Sequence, residues 1–166
     1  MGVSSGTATV TFPTDEQILI TREFDAPRHL VYRAWTTPEL VARWWSGQRG
    51  TMTTVDIDLR VGGTWRYVLV TNDGFEVAFH GEYREIVPDE RIVTTEVYEM
   101  PGAEPLAAAD EPLNIVTFTE VDGRTTLSLL AQTTSRELRD TIIESGMEAG
   151  MQEQMDLLEQ VAVSLV

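Results

Sequence analysis

The sequence predicts an α+β fold in which a curved antiparallel sheet of about six or seven strands wraps around a long C-terminal helix, with two short helices after the first strand. Three observations carry this. Residues 139–166 set Met147, Met151, Met155 (or Gln154), Leu158, Ala162 and Leu165 at the three- and four-residue steps of one helix face, while Glu144, Glu148, Glu153, Asp156 and Glu159 fall elsewhere and predict a wet opposite face. About eighty residues after Gly47 read as consecutive strands punctuated by turns. Between the first strand and that run, two short apolar periods each open on a proline.

Taken in order, residues 1–7 are rich in Ser, Gly and Thr and are expected to form a loose tail ahead of a single domain at 8–166. Val10 and Phe12 alternate with threonines and suggest a short strand at 8–12. Residues 17–24 alternate Ile18, Ile20, Arg22 and Phe24 against Leu19, Thr21 and Glu23, which is strand patterning with an undecided inner face. Pro27 then sits where a helix takes its first residue, followed by Val31, Ala34 and Trp35. Thr37-Pro38-Glu39 repeats the signal before Leu40, Val41, Trp44 and Trp45.

A strand over 52–59 leads to the turn Arg60-Val61-Gly62-Gly63. Residues 64–71 place Trp65, Tyr67 and Leu69 on one face, and Asn72-Asp73-Gly74 turns the chain. Residues 76–87 group Val77, Phe79, Gly81 and Tyr83, and a further strand covers 92–100 with no inner face decided. Residues 101–112 make the longest irregular stretch, of the kind that forms lids or insertions. Strands at 113–121 and 126–133 form a hairpin over Asp122-Gly123, with Val116, Phe118, Leu127, Leu129 and Ala131 inward. Thr134 and Glu137 have capping-box spacing, so the last helix is expected to begin at Ser135, with an interruption near Ser145-Gly146. A twisted antiparallel sheet with one long helix across its concave face is the helix-grip arrangement.

Gly146 and Gly150 lie on or beside the apolar stripe, where each costs about 1 kcal/mol relative to alanine. Either they allow close approach of helix to sheet, or their missing side chains leave room for a ligand.

Composition narrows the function. A chain of 166 residues can bury about 70% of its unfolded surface as one domain. The absence of cysteine excludes disulfides and thiol chemistry. Twenty-seven acids against 12 arginines and no lysine give a net charge of -15, which opposes nucleic acid and anionic membranes as partners. Residues 1–91 hold 9 arginines and 13 acids (-4), and residues 92–166 hold 3 and 14 (-11), an imbalance read mainly as a solvated helix face. Neither a leader peptide nor an 18-residue apolar run is evident, so the cytoplasm is the default location.

Five ordered runs then coincide: REFDAP, VYRAWTTPEL and RWW; DLRVGGTWRY; HGEYREIVPDERIV; TFTEVDGRTTLSL; and SGMEAGMQEQMDLLEQV. Together, over residues 17–163, they resemble the branch of the START-like (SRPBCC) superfamily named after the activator of the 90-kDa heat-shock protein ATPase. The resemblance implies a helix-grip fold with a cavity between the C-terminal helix and the sheet. It implies no single activity, since relatives include lipid carriers, aromatase/cyclases, ligand sensors and co-chaperone domains.

The residues themselves show no catalytic, cofactor or metal motif. His29 and His80 lack partners at triad or metal spacing, and Asp56 and Asp58 alone would under-ligand a metal. What remains is apolar: Trp45, Trp65, Tyr67, Tyr83, Phe118, Leu129, Met147, Gly150, Met151 and Met155 are the candidates to line a cavity. Tyr67, Tyr83, Thr95 and Thr117 are candidates to orient a guest. For Trp44 and Trp65 ordinary core packing is the competing reading. The expectation is a carrier for a small apolar or aromatic molecule, with residues 101–112 as its gate. The alternatives are an aromatase/cyclase- or hydrolase-like enzyme and a co-chaperone-like interaction domain, and unpaired sheet edges leave a homodimer open.

Overall fold

The computed structural model describes residues 8–99 and 111–166. The expected tail at 1–7, and the expected gate apart from its last two residues, lie outside the described residues. In chain order the elements are β1 (Thr9–Thr11), β2 (Gln17–Phe24), α1 (Arg28–Thr36), α2 (Pro38–Trp44), β3 (Gly50–Ile57), β4 (Thr64–Thr71), β5 (Glu76–Val87), β6 (Arg91–Thr95), β7 (Val97–Glu99), β8 (Leu113–Val121), β9 (Arg124–Gln132), α3 (Arg136–Glu144) and α4 (Met147–Ser164). All strand pairs are antiparallel, and the sheet runs β1-β2-β9-β8-β6-β5-β4-β3, with β7 pairing β5 beyond β6. A curved antiparallel sheet holding a long C-terminal helix is the α+β helix-grip fold.

The apolar face of each strand turns toward α4. Ile18, Ile20 and Phe24 of β2 are buried with Val116 and Phe118 of β8 and Leu127 of β9, which decides the inner face of β2. α1 and α2 close one end of the groove and pack against α4, and Trp44 ties them together by donating its indole N–H to the Ala34 carbonyl. Pro27 caps α1 from outside the helix rather than starting it.

Among the described residues the sheet has nine strands rather than six or seven, because β1 pairs with β2 and the strand expected over 92–100 divides at Glu96. β6 and β7 both pair with β5, but the ladder lapses where Glu96 and Thr95 stand opposite Gly81 and Glu82. There the Thr95 carbonyl accepts from the Trp65 indole N–H at 3.2 Å, and the Glu82 amide donates to the Thr95 hydroxyl at 2.9 Å. Only glycine fits at 81, since a Cβ would stand 1.9 Å from the Thr95 carbonyl oxygen. The register is the same on either side of the lapse, Thr94 opposite Tyr83 and Val97 opposite His80, so Glu96 keeps the face of Thr94.

The C-terminal helical region is two helices. Ser135 caps α3, its hydroxyl accepting from the Leu138 amide at 3.0 Å, so the cap lies one residue beyond Thr134. The expected interruption falls at Gly146, whose φ of +84° is a left-handed conformation that glycine adopts without strain. α3 has no fully buried residue, whereas α4 buries Met151, Met155, Leu158, Val161 and Ala162.

The expectation of a uniformly wet acidic face fails at Glu159, which is buried. Its carboxylate accepts from Arg22 Nη2 at 3.1 Å and from the Asp25 amide at 3.0 Å. Arg22 is buried too, lies over the Phe24 ring at 5.1 Å, and reaches the exposed Asp156 at 3.2 Å. Arginine fills a core position on β2 because α4 brings it a buried counter-charge. At the other margin the side-chain amide of Gln152 grips Ala8 as a strand would, accepting from its N–H at 3.0 Å and donating to its carbonyl at 2.9 Å. Replacing Glu159 by Ala strands the guanidinium and is expected to cost about 3–5 kcal/mol in urea denaturation. A loss below about 1 kcal/mol would show that Asp156 alone suffices.

Candidate functional site

Under the C-terminal half of α4 the core is closed, with Leu158 and Ala162 fully buried. Under its N-terminal half it is open. A hollow of about 450 Å³, partly open to solvent, lies between Met147, Gly150, Met151 and Met155 on the helix and Leu69, Phe79, Leu129 and Ala131 on the sheet. It continues into an inner chamber of about 50 Å³ bounded by Trp65, Tyr67, Tyr83 and Val116. Trp35, Trp44, Trp45, Glu96, Asn114 and Leu129 line both.

Local sequence explains the opening. Gly150 is not a close-approach glycine, because a Cβ there would meet nothing nearer than the Arg49 guanidinium at 3.8 Å. Of the two roles considered for it, the space is what the geometry supports. Gly146 serves the backbone instead, letting α3 leave the axis of α4 so that Ile142 of α3 borders the mouth. Arg49 also borders it and pairs with Glu153 of α4 at 3.4 Å, and the Gln154 side-chain amide donates to the Trp45 carbonyl, fixing the end of α2 against α4.

Nine of the ten candidate residues line one or other space: Trp65, Tyr67 and Tyr83 the inner chamber, Met147, Gly150, Met151 and Met155 the outer hollow, and Trp45 and Leu129 both. Phe118 does not. It is buried beneath α1, with its ring 5.7 Å from Tyr32 and 6.2 Å from Trp35. The hairpin brings Leu129 to the hollow and Phe118 to the α1 contact because they lie on different stretches of the sheet's inner face. Trp45 stands edge-on to Tyr67 at 5.2 Å and Phe79 at 5.0 Å, forming an aromatic corner. Thr95 is engaged by Glu82 and Trp65, and Thr117 lines neither space.

The polar residue that sequence reasoning missed is Glu96. It is half-buried, lines both spaces, and accepts at 2.9 Å from the Asn114 side-chain amide. Desolvation raises its proton affinity above the ordinary carboxylate range, and the Asn114 hydrogen bond opposes that in part. Tyr67 and Tyr83 are likewise pushed up, mainly by desolvation, Tyr67 well above the usual phenol range. In an acid-rich, threonine-rich strand, period-two patterning gave no sign of which carboxylate would turn inward. Glu96 takes the face of Ile92, Thr94 and Tyr98, because the register against β5 is the same on both sides of the lapse.

Both histidines lie outside the hollow. His29 is exposed, and His80 meets Glu99 at 2.9 Å on the outer face, where Arg66 holds the same carboxylate at 2.9 and 3.0 Å and draws its pKa down. Asp56 and Asp58 are exposed, and among the described residues no group of three or more His, Asp or Glu side chains is placed to hold a metal.

Two outcomes follow from this geometry. A carboxyl whose folded-state pKa is raised stabilises the fold below its ordinary pKa and withdraws that support as pH rises through the raised value. Glu96→Gln does not titrate, so its melting temperature relative to the unsubstituted protein should be higher at pH 8 than at pH 4. Equal differences at both would mean Glu96 is solvated. Gly150→Ala should stabilise the protein by about 0.5–1 kcal/mol in the same melts, since it gains helix propensity without a clash.

The relatives agree with the architecture. Solved structures of similar fold include a Rhodobacter sphaeroides protein with TM-score 0.85 and 22% identity, covering 96% of this chain and 99% of that one. A Mycobacterium smegmatis protein has TM-score 0.83 and 22% identity, with 97% and 100% covered. An AHSA1-like protein from Aeromonas hydrophila has TM-score 0.64 and 19% identity, with 89% and 93% covered. At these identities the likeness concerns the fold alone. Among curated proteins none matches the chain. The sequence profile described as "Activator of Hsp90 ATPase homolog 1-like protein" does match, over residues 25–162, from the turn after β2 to the last turn of α4. With that match spanning nearly the whole fold, the chain belongs to the activator of Hsp90 ATPase homolog 1-like family.

Proposed function

We propose that this protein binds or carries a small apolar or aromatic molecule between α4 and the sheet, from a cytoplasmic location. The observation that carries the proposal is the hollow of about 450 Å³ beneath Met147, Met151 and Met155. Its volume lies within the range of about 300–1,000 Å³ common to small-molecule sites. Thioether side chains adjust to guests of different shape at little cost, which suits a carrier better than a single-substrate enzyme. Removing about 150 Å² of apolar guest surface from water would contribute about 4 kcal/mol, before the loss of translational freedom is set against it.

A catalytic reading, aromatase/cyclase- or hydrolase-like, draws support from one observation. Glu96 is a carboxyl of raised proton affinity inside the hollow, where a general acid or base would stand. The co-chaperone reading rests on the family description and on the acidic C-terminal half, and it calls for a salt-sensitive complex with the chaperone. The carrier reading is preferred because the outer hollow is lined mainly by apolar side chains, with Glu96 as the one carboxyl among its described lining residues. Edge strands β1 and β3 leave a second copy of the chain as a further candidate partner.

Met151→Trp places an indole in the hollow and tests the proposal. Uptake of the neutral fluorescent probe N-phenyl-1-naphthylamine should fall by about tenfold or more, with the circular dichroism spectrum retained. Native mass spectrometry of freshly purified protein should show a bound small molecule in the unsubstituted protein only. Undiminished uptake by the folded variant would overturn the proposal.

A further inference from the structure

The two connected spaces differ in chemistry. The outer one is walled by thioether, aliphatic and aromatic groups, with Ser46, Arg49 and Gln154 at its margin. The inner one presents Tyr67, Tyr83, Thr94, Glu96 and Asn114 among its tryptophans. Asn114 donates to Glu96 Oε2, and Oε1 has no hydrogen-bond partner among the described residues. The hydroxyls of Tyr67 and Tyr83 have none either. These groups reach open space, because Nε and Nη1 of Arg22 are the only fully buried, unpartnered side-chain polar atoms among the described residues. A carboxylate oxygen and two phenol hydroxyls therefore collect at the inner end, and an apolar guest would leave them unmet.

Among the described residues no arginine or histidine lines the inner chamber, so an anionic head group there would face Glu96 without a counter-ion from them. Arg49, at the outer margin, is already held by Glu153. A cationic head would meet a carboxylate among the aromatic side chains of Trp45, Trp65, Tyr67 and Tyr83, and aromatic rings attract cations. A chamber of about 50 Å³ holds an ammonium group and little more. From this arrangement we infer that the hollow selects molecules with an apolar or aromatic body and one amine head, the ammonium donating to Glu96 and the body lying under Met147, Met151 and Met155. The inference rests on the carrier reading and gives its guest a chemical class. Asn114 is a positioning residue: its amide holds Glu96 Oε2 so that Oε1 faces the chamber.

Three probes sharing one ring system separate the head groups: tryptamine, tryptophol and indole-3-acetate, titrated by calorimetry at pH 7 in 150 mM salt. Tryptamine should bind about tenfold or more tighter than indole-3-acetate, with tryptophol between them. Glu96→Gln should bring the three within about threefold of one another. Glu148→Gln removes the same charge from an exposed site on α4 and should preserve the preference. Met151→Trp should abolish binding of all three. Equal affinities, or a preference for the acid, would overturn the amine inference while leaving the carrier reading intact. A tryptamine preference that survives Glu96→Gln would also overturn it, as simple attraction to an acidic chain. Binding of none of the probes would overturn both. If Glu96→Gln does not fold, titration of the unsubstituted protein at 50 and 500 mM salt decides, since a preference that disappears at high salt belongs to the outer surface.

Discussion

The fold depends on a charge pair that a sheet-and-helix pattern would not anticipate. Arg22 and Glu159 meet inside the core, joining the strand next to the sheet's edge to the far half of α4. A buried pair of this kind adds little net stability compared with apolar side chains of similar size. It does forbid alternatives. If α4 slid by a turn or rotated about its axis, both charges would be left in low dielectric without partners. Register is thereby fixed at one end of the helix, and the side chains at the other end need not interdigitate to fix it again.

Because the far end carries the alignment, the near end is free to stand over a void. Gly150 contributes no side chain to it, and methionines at 147, 151 and 155 give it a deformable wall. The void also has a polar end, made where β6 gives way to β7. Gly81 lets the Thr95 carbonyl and the Trp65 indole close over the strand, and Glu96 stands on the inner side in step with Ile92, Thr94 and Tyr98. The solved relatives share this framework, so a task has to be argued from side chains such as these rather than from the fold.

Much of the architecture was legible in the residues. Strand alternation and turn residues located β2, β4, β5 and β8 to their termini, and the proline starts located α1 and α2. Stepped methionines on α4 pointed to the hollow's roof, and Trp45, Tyr67 and Leu129 to its walls. What escaped the pattern has a common cause. Arg22 on an apolar face and Glu159 on an acidic face are each placed by a partner distant in sequence, and one-dimensional periodicity carries no information about that partner. Phe118 errs the other way: correctly inward, it meets α1 rather than empty space. The cap at Ser135 differs from Thr134 because two adjacent hydroxyl residues offer the same chemistry, and only the backbone path chooses between them.

α3 sits between its serine cap and the left-handed glycine with no side chain wholly withdrawn from solvent, and its Ile142 borders the mouth. Elements with so little surface committed to the core detach at the smallest free-energy cost. Among the described helices the one bordering the mouth is thus the one most easily parted from the core, and the sheet's hydrogen-bond ladders need not break for it to move.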